Sequence, residues 1–128
     1  MEVSTPASEY ANPMQSNCPG RHLFELITSR WPLLILWSLK SGTKRFFEIR
    51  NEVEGISERV LSEVLKKLCR HGLIDRHVEP SIPPKVSYSL TKSGEGLLAV
   101  MEGLTGWIAK ELETVERAKA RYDARAQA

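Results

Sequence analysis

The 128-residue chain has little of several residue types on which whole classes of proteins depend. Its two cysteines are too few for a disulfide framework, and with three irregularly spaced histidines they do not suit a structural zinc site. The longest apolar run, residues 32–37, is too short to cross a bilayer, and no basic segment followed by an apolar one opens the chain. We therefore expect a single cytoplasmic domain with no membrane partner, no metal and no other cofactor.

Signatures of catalysis are also missing from the sequence. His22, His71 and His77 are scattered along the chain, and no acidic residue stands at a repeating spacing from them. There is no glycine-rich phosphate loop and no nucleophile elbow. We therefore predict that the protein is not an enzyme.

Positive charge, by contrast, is concentrated in the middle of the chain. The net charge is only +2, and the sequence pI is about 8.6. Residues 40–92 carry eleven basic and seven acidic side chains, a net +4, whereas residues 1–39 and 93–128 each sum to −1. Basic charge gathered in one segment favours a polyanionic partner such as nucleic acid.

The N-terminal part of the chain predicts a tail followed by two helices. Residues 1–17 are rich in Ser, Pro, Ala and Asn without periodicity, which predicts a disordered tail. Pro19 suits the first turn of a helix, where its missing N–H is harmless. Pro32 opens a second helix over residues 33–39, which is apolar nearly all round and should lie in the core.

The next segment predicts a helix-turn-helix. Residues 47–53 show apolar side chains at helical spacing, and Gly55 interrupts the pattern. Ser57 is suited to cap a second, longer helix that ends at Gly72. A short helix, a glycine-containing turn and a longer helix are the components of this motif.

After the long helix the apolar spacing changes from helical to alternating. Residues 73–78 and 85–90 predict two strands, joined by residues 79–84, which contain three prolines. Thr91 predicts the cap of a final helix, and residues 117–128 are expected to fray. The predicted order describes an α+β, mainly α, winged helix-turn-helix with a two-stranded, proline-rich wing.

The helix capped by Ser57 has two contrasting sides. At 100° per residue its apolar residues share one face: Val60, Leu61, Val64, Leu65 and Leu68. The opposite face carries Arg59, Ser62, Glu63, Lys66 and Arg70. Arginine forks onto guanine O6 and N7 in the major groove, serine reaches base edges, and lysine or arginine binds phosphate. A solvated helix face is the alternative interpretation, because amphipathic helices with charged outer sides are common.

Further candidate DNA contacts lie in the elements beside this helix. They are Lys44 and Arg45 before the first helix of the pair, Ser57 at the cap of the second, and Arg76, His77 and Lys85 along the wing. In such motifs the first helix crosses the phosphate backbone, and a wing reaches neighbouring phosphates or the minor groove. The pattern therefore predicts a double-stranded DNA-binding surface.

Several stretches of sequence, in order, carry a family resemblance. They are Cys18-Pro19, SRWPLLIL at 29–36, RFFEIR at 45–50, GISERVLS at 55–62, LKKL at 65–68, HGLIDR at 71–76 and PPKVSYSLT at 83–91. Through these stretches, residues 18–108 resemble the HxlR-type family of bacterial winged-helix transcriptional regulators. The resemblance implies a homodimer that binds operator DNA and uses its terminal helices as the interface. We assign the domain to residues 18–116.

Two residues depart from the pattern of the resembling family. Glu63 stands where members often have a neutral amide, and Ser87 replaces a usual glutamate beside Tyr88. Phosphate repels an acidic side chain in the recognition helix, although a carboxylate accepts a hydrogen bond from cytosine N4. These departures leave the operator sequence open.

The apolar residues of the terminal helices also favour a dimer. The last helix carries more apolar surface than a single domain of this size is expected to bury. The candidate interface residues are Leu23, Leu26, Leu104, Trp107, Ile108 and Leu112. Two copies would place their recognition helices at half-sites about 34 Å apart on a palindromic operator. A last helix packed wholly on its own domain is the alternative.

Cys18 stands at a predicted helix start, close to Arg21 and His22. A helix N-terminus and neighbouring cations make thiols more reactive. In some proteins of the resembling family a cysteine at this position senses oxidants or electrophiles. A small capping residue without chemistry is the alternative interpretation, and Cys69 is expected only to fill space.

Two further alternatives stay open. A small-molecule effector could occupy apolar space near Trp31, Trp37 and Trp107, although aromatic residues in such places are more often core. The winged helix could also dock an acidic protein partner in place of DNA. Binding to duplex that weakens steeply with salt would distinguish DNA recognition from protein docking.

Overall fold

The computed structural model describes residues 12–127. Its elements in chain order are α1 (Pro19–Thr28), α2 (Pro32–Ser38), a 3₁₀ turn (Leu39–Ser41), β1 (Lys44–Arg45), α3 (Phe46–Glu52), α4 (Glu58–Arg70), β2 (Ile74–Glu79), β3 (Lys85–Leu90) and α5 (Lys92–Ala126). The predicted order of helices, hairpin and final helix is confirmed. Of the tail predicted for residues 1–17, the part up to residue 11 lies outside the described residues, and residues 12–17 form turns and a bend.

The wing is the antiparallel hairpin of β2 and β3. Its register pairs Ile74 with Leu90 at the base and Glu79 with Lys85 at the far end. Residues 80–84 form the tip, and three of these five residues are proline. Proline has no N–H to donate to a ladder, so the strands end where the tip begins.

A third strand, β1, extends the sheet to the order β1-β3-β2. Lys44 pairs with Tyr88 and Arg45 pairs with Ser87. The sequence predicts instead that these two residues lead directly into a helix and that the sheet has two strands. A two-residue strand is too short to display alternation, so its pairing emerges only once β3 lies beside it.

One hydrophobic core joins α2, the helix-turn-helix, the hairpin and the start of α5. Its buried side chains are Ile35, Leu36, Leu39, Ile49, Val53, Ile56, Leu61, Leu65, Leu68, Leu73, Ile74, Tyr88 and Met101. Each fully buried aliphatic side chain contributes roughly 1.5–3 kcal/mol. The three leucines that α4 supplies therefore fix which side of this helix faces the core and which side faces outward.

A small polar junction connects the end of α4 to the beginning of α5. Gly72, with a φ of +71°, adopts the left-handed conformation that ends α4. The Thr91 hydroxyl donates to the carbonyl oxygen of Gly72 at 2.6 Å and accepts from the backbone N–H of Gly94 at 3.1 Å. The Thr91 N–H donates to the carbonyl oxygen of Leu73 at 3.2 Å. The predicted cap of the final helix thus also fixes that helix to the exit of α4.

The final helix, α5, has 35 residues and is therefore about 52 Å long. Its buried residues are Gly94, Leu98 and Met101, all within its first third. Although α5 is long, no helix within residues 12–127 combines the length and the apolar character needed to span a membrane. Most of α5 therefore extends beyond the core of its own chain.

The C-terminal part of α5 differs from the fraying expected over residues 117–128, since the helix continues to Ala126. Two ion pairs stabilise its exposed turns. Arg117 binds Glu113 at 3.0 Å, and Lys119 binds Glu116 at 3.3 Å. Charged pairs three or four residues apart support a helix even where nothing packs against it.

Candidate nucleic-acid interface

The outward side of α4 forms the centre of the candidate interface. Ser57 caps the helix by accepting a hydrogen bond from the Val60 N–H at 3.1 Å. Because Leu61, Leu65 and Leu68 are buried, the opposite side faces away from the core. Of the predicted contacts on that side, Ser62 is half-buried, whereas the others are exposed: Arg59, Glu63, Lys66 and Arg70.

Arg59 and Glu63 form an ion pair on this surface. The Arg59 Nε donates to the Glu63 Oε1 at 3.3 Å, one helical turn away. The two side chains are 88% and 55% exposed, so both lie at the surface available to a partner. Glu63, the acidic residue that departs from the family pattern, is therefore paired with Arg59, the first arginine of this face.

Two residues of α3 that the sequence did not single out lie beside the start of α4. The Arg50 guanidinium binds the carboxylate of Glu58, the first residue of α4. The same guanidinium lies 5.0 Å from the ring centroid of Phe47, whose side chain is exposed. In the sequence, Phe47 and Arg50 fall within the apolar pattern of this helix. With only seven residues, that pattern is too short to distinguish exposed side chains from those that face the core.

The candidate residues of the wing all have exposed side chains. Arg76 and His77 are consecutive on β2 and therefore face opposite sides of the hairpin. The Nε2 atom of His77 lies 2.7 Å from the Ser89 hydroxyl, so this ring is held against β3. Lys85 begins β3 opposite Glu79. Ile82, at the tip, is fully exposed.

Lys44 has a different environment from the other candidate contacts. Its side chain is only 13% exposed, and its ammonium group binds the Glu52 carboxylate. The Ser38 hydroxyl donates to the same carboxylate at 2.7 Å. These hydrogen bonds, Lys44 first and Ser38 second, hold the pKa of Glu52 below the usual range. Lys44 therefore links α2, β1 and α3, and of the predicted pair only Arg45 displays an exposed cation.

The two cysteines lie in different surroundings. Cys18 is the N-cap residue of α1, and only 4% of it is exposed. Cys69 is half-buried near the end of α4, and burial raises the pKa of its thiol against the opposing effect of Arg76. A protonated, half-buried thiol agrees with the space-filling role expected for Cys69.

The candidate dimer residues lie on surfaces that residues 12–127 leave at least partly open. On α1, which has no buried residue, Leu23 is exposed and Leu26 is half-buried. The four candidates on α5 are all exposed, and we refer to them as the α5 stripe: Leu104, Trp107, Ile108 and Leu112. Trp107, with 58% of its surface exposed, is the largest of these side chains.

A cleft of about 840 Å³ lies between α2, β1 and the end of α3. Trp37 and Leu34 form part of its apolar lining, and the paired side chains of Lys44 and Glu52 also face it. Of the other two tryptophans considered for an effector site, Trp31 packs against the core and Trp107 lies exposed on α5. Among residues 12–127, no three His, Cys, Asp or Glu side chains are placed to hold a metal ion.

Comparison with known proteins agrees with this architecture. The uncharacterized HTH-type transcriptional regulator YtfH of Escherichia coli (strain K12) is 38% identical over 104 residues, which cover 81% of this chain and 82% of that protein. The solved structure of the putative transcriptional regulator ytfH from Salmonella typhimurium matches with a TM-score of 0.78 at 37% identity. That match covers 84% of this chain and 96% of the other.

A third relative is the HTH-type transcriptional regulator YodB of Bacillus subtilis, 40% identical over 91 residues, or 70% of this chain and 81% of that protein. Its reduced form matches with a TM-score of 0.63 over 73% of this chain and 92% of the other, and a diamide-treated form is also solved. The relatives carry the names of regulators rather than of enzymes. The family model described as HxlR-like helix-turn-helix matches residues 26–116, and the chain belongs to that family.

Proposed function

We propose that the protein is a transcriptional regulator that binds double-stranded DNA and inserts α4 into the major groove. One observation carries the proposal: the apolar side of α4 is buried while its cationic side stays open, in a chain of a helix-turn-helix family. Residues near the N-terminus of a recognition helix contact base edges. Arg59 is therefore the base reader, and Lys66 and Arg70, further along, bind phosphates. Because genomic DNA lies in the cytoplasm of a bacterial cell, a regulator of this kind acts there.

The wing supplies the flanking contacts in this proposal. Arg76, His77 and Lys85 are exposed along β2 and β3 and reach neighbouring phosphates or the minor groove. Arg45 contributes a further phosphate contact from the start of α3. Lys44 is left out of this set, because its ammonium group is bound to Glu52. Ser57 uses one acceptor position of its hydroxyl group for the helix cap, and its proton can still be donated to the DNA.

We further propose that two copies bind a palindromic operator. The α5 stripe and Leu23 of α1 expose apolar side chains, while the buried residues of α5 within the described part of the chain all lie in its first third. Burying such surface against a second copy is favourable by roughly 25 cal/mol per Å². A two-fold dimer presents two recognition helices to half-sites about 34 Å apart.

Regulation by an effector completes the proposal. The relative YodB was solved in reduced and diamide-treated forms, which favours a thiol-based signal, and Cys18 is the candidate sensor. A small molecule is the other option, and the cleft beside Trp37 is the site we assign to it. Cys18 is distant in sequence from α4, so a thiol signal would act by changing the geometry of the dimer. The cleft is lined by the end of α3, directly before α4, so a ligand there would act on the helix-turn-helix itself.

The test is to select bound fragments from random duplex DNA and then to titrate the selected operator at 50–200 mM salt by fluorescence anisotropy. We expect a palindromic consensus and a log-linear loss of affinity with salt. Arg59→Ala should cost about 1–3 kcal/mol at one base position in each half-site, and Lys66→Ala should weaken all sequences alike. No enrichment of any sequence, with affinity for an acidic protein instead, would replace DNA binding by protein docking.

A further inference from the structure

Glu63 is an acidic side chain in the centre of a face that otherwise carries cations and a hydroxyl group. A carboxylate there faces the phosphates of any bound duplex, and like charges repel, so the residue should weaken DNA binding unless it does something else. Two other acidic side chains of these elements have cationic neighbours: Glu58 binds Arg50, and Glu79 stands opposite Lys85 on the wing.

The contact that Glu63 makes is specific in its geometry. Its Oε1 accepts from the Nε of Arg59, the inner nitrogen of the guanidinium group. The two terminal nitrogens of Arg59 take no part in this contact, and they are two parallel donors of the kind that fork onto guanine O6 and N7. Without the carboxylate, an arginine side chain that is 88% exposed would sample many rotamers.

We propose that Glu63 is a positioning residue that holds Arg59 in the orientation that reads guanine, and that the operator therefore has a guanine opposite Arg59 in each half-site. This inference rests on the proposed function, since it assumes that α4 enters the major groove. The pairing also reduces the repulsion between Glu63 and phosphate, because the charge of Arg59 lies within hydrogen-bond distance. Glu63 thus raises the selectivity for guanine and lowers the affinity for non-specific DNA.

A direct contact from Glu63 to cytosine N4 is the competing explanation. In that arrangement the carboxylate would read its own base, and its effect would not depend on Arg59. The two explanations therefore differ in whether the effects of the two residues are coupled. A double-mutant cycle measures that coupling.

The experiment compares the selected operator with a copy in which 7-deazaguanine, which lacks N7, replaces the guanine assigned to Arg59. The wild-type protein should discriminate between them by about tenfold. Glu63→Ala should lose most of that discrimination, as should Arg59→Ala, and the double variant should lose no more than either single variant. On an unrelated duplex at low salt, Glu63→Ala should bind roughly two- to fivefold more tightly, because a like charge has been removed.

Glu58→Gln is the matched control, since it removes an acidic group from the same helix but leaves the Arg59–Glu63 pair intact. It should keep the full discrimination against 7-deazaguanine. Retained discrimination in Glu63→Ala, or an effect of Glu63→Ala that persists in the Arg59→Ala background, would overturn the positioning role while DNA binding stands. If the wild-type protein selects no duplex at all, the proposed function and this inference are both wrong.

Discussion

Gly94 approaches the backbone of Leu73 so closely that a methyl group on its Cα would lie 2.0 Å from the Leu73 carbonyl oxygen. This contact holds the beginning of α5 against the residue that follows the helix-turn-helix. Neither backbone can move away easily, because Thr91 ties both ends of the junction together. Only glycine fits at position 94.

Gly94→Ala should therefore destabilise the protein by about 2–4 kcal/mol, because the added Cβ forces the junction apart. In a thermal unfolding experiment followed by circular dichroism, the midpoint should fall by roughly 6–15 °C. Gly96→Ala is the control: two residues along the same helix, its Cβ would meet nothing within 4 Å. Replacing a helical glycine there should raise stability by roughly 0.5–1 kcal/mol. Equal effects of the two substitutions would contradict the close approach.

Trp107→Glu should dissociate the proposed dimer without unfolding the chain, since Trp107 contributes to an exposed surface and not to the core. A charge placed in an apolar interface should raise the dimer dissociation constant about 100-fold or more. Analytical ultracentrifugation measures the change, and affinity for the full palindrome should fall with it while a single half-site binds as before.

Gly106→Glu serves as the control for this substitution. Gly106 is also exposed on α5, and at 100° per residue it lies at least 100° around the helix from every member of the α5 stripe. Gly106→Glu should leave the association unchanged. A wild-type protein that sediments as a monomer at every concentration, or equal effects of the two variants, would show that the α5 stripe is not the interface.

Helix α4 could be predicted from sequence because everything that defines it is local. The cap at Ser57, the stop at Gly72 and the apolar spacing between them all lie within sixteen residues, and the structure places the leucines inward as that spacing indicates. The wing was predictable for the same reason, since the prolines of residues 80–84 separate two alternating segments.

The environment of Lys44 could not be predicted, because it depends on contacts between separate elements. Its charge is visible in the sequence, but its partner Glu52 lies in the next helix and Ser38 lies in the previous one. The same holds for the strand that Lys44 forms, which needs β3 beside it. Sequence alone therefore gave Lys44 the same role as Arg45, although only Arg45 is exposed.

Cys18→Ser should keep DNA binding within about twofold but abolish any loss of binding caused by diamide. Serine is close to cysteine in size and is a favourable N-cap residue, whereas it has no thiol to oxidise. Anisotropy titrations with and without diamide measure the response, and Cys69→Ala should respond as the wild type does. A Cys18→Ser protein that still releases DNA on oxidation would remove Cys18 as the sensor.

Glu52→Gln should destabilise the protein at neutral pH and have a progressively smaller effect in acid. The hydrogen bonds from Lys44 and Ser38 lower the pKa of Glu52 in the folded state, so the charged form of this carboxyl stabilises the fold. That contribution is complete above the unfolded pKa of about 4.3 and is lost as the pH falls through the lower folded value. Urea unfolding of both proteins between pH 7 and pH 3.5 measures the difference in free energy.

Glu54→Gln removes a carboxylate two residues away and provides the comparison for this pH series. Its difference from the wild type should be small and nearly independent of pH, because surface charges contribute little. A Glu52→Gln difference that stays constant into acid, or grows there, would mean that the Lys44–Glu52–Ser38 contacts do not favour the ionised carboxyl. Since those contacts connect α2, β1 and α3, the same result would also remove the reason for assigning Lys44 to the scaffold rather than to the DNA.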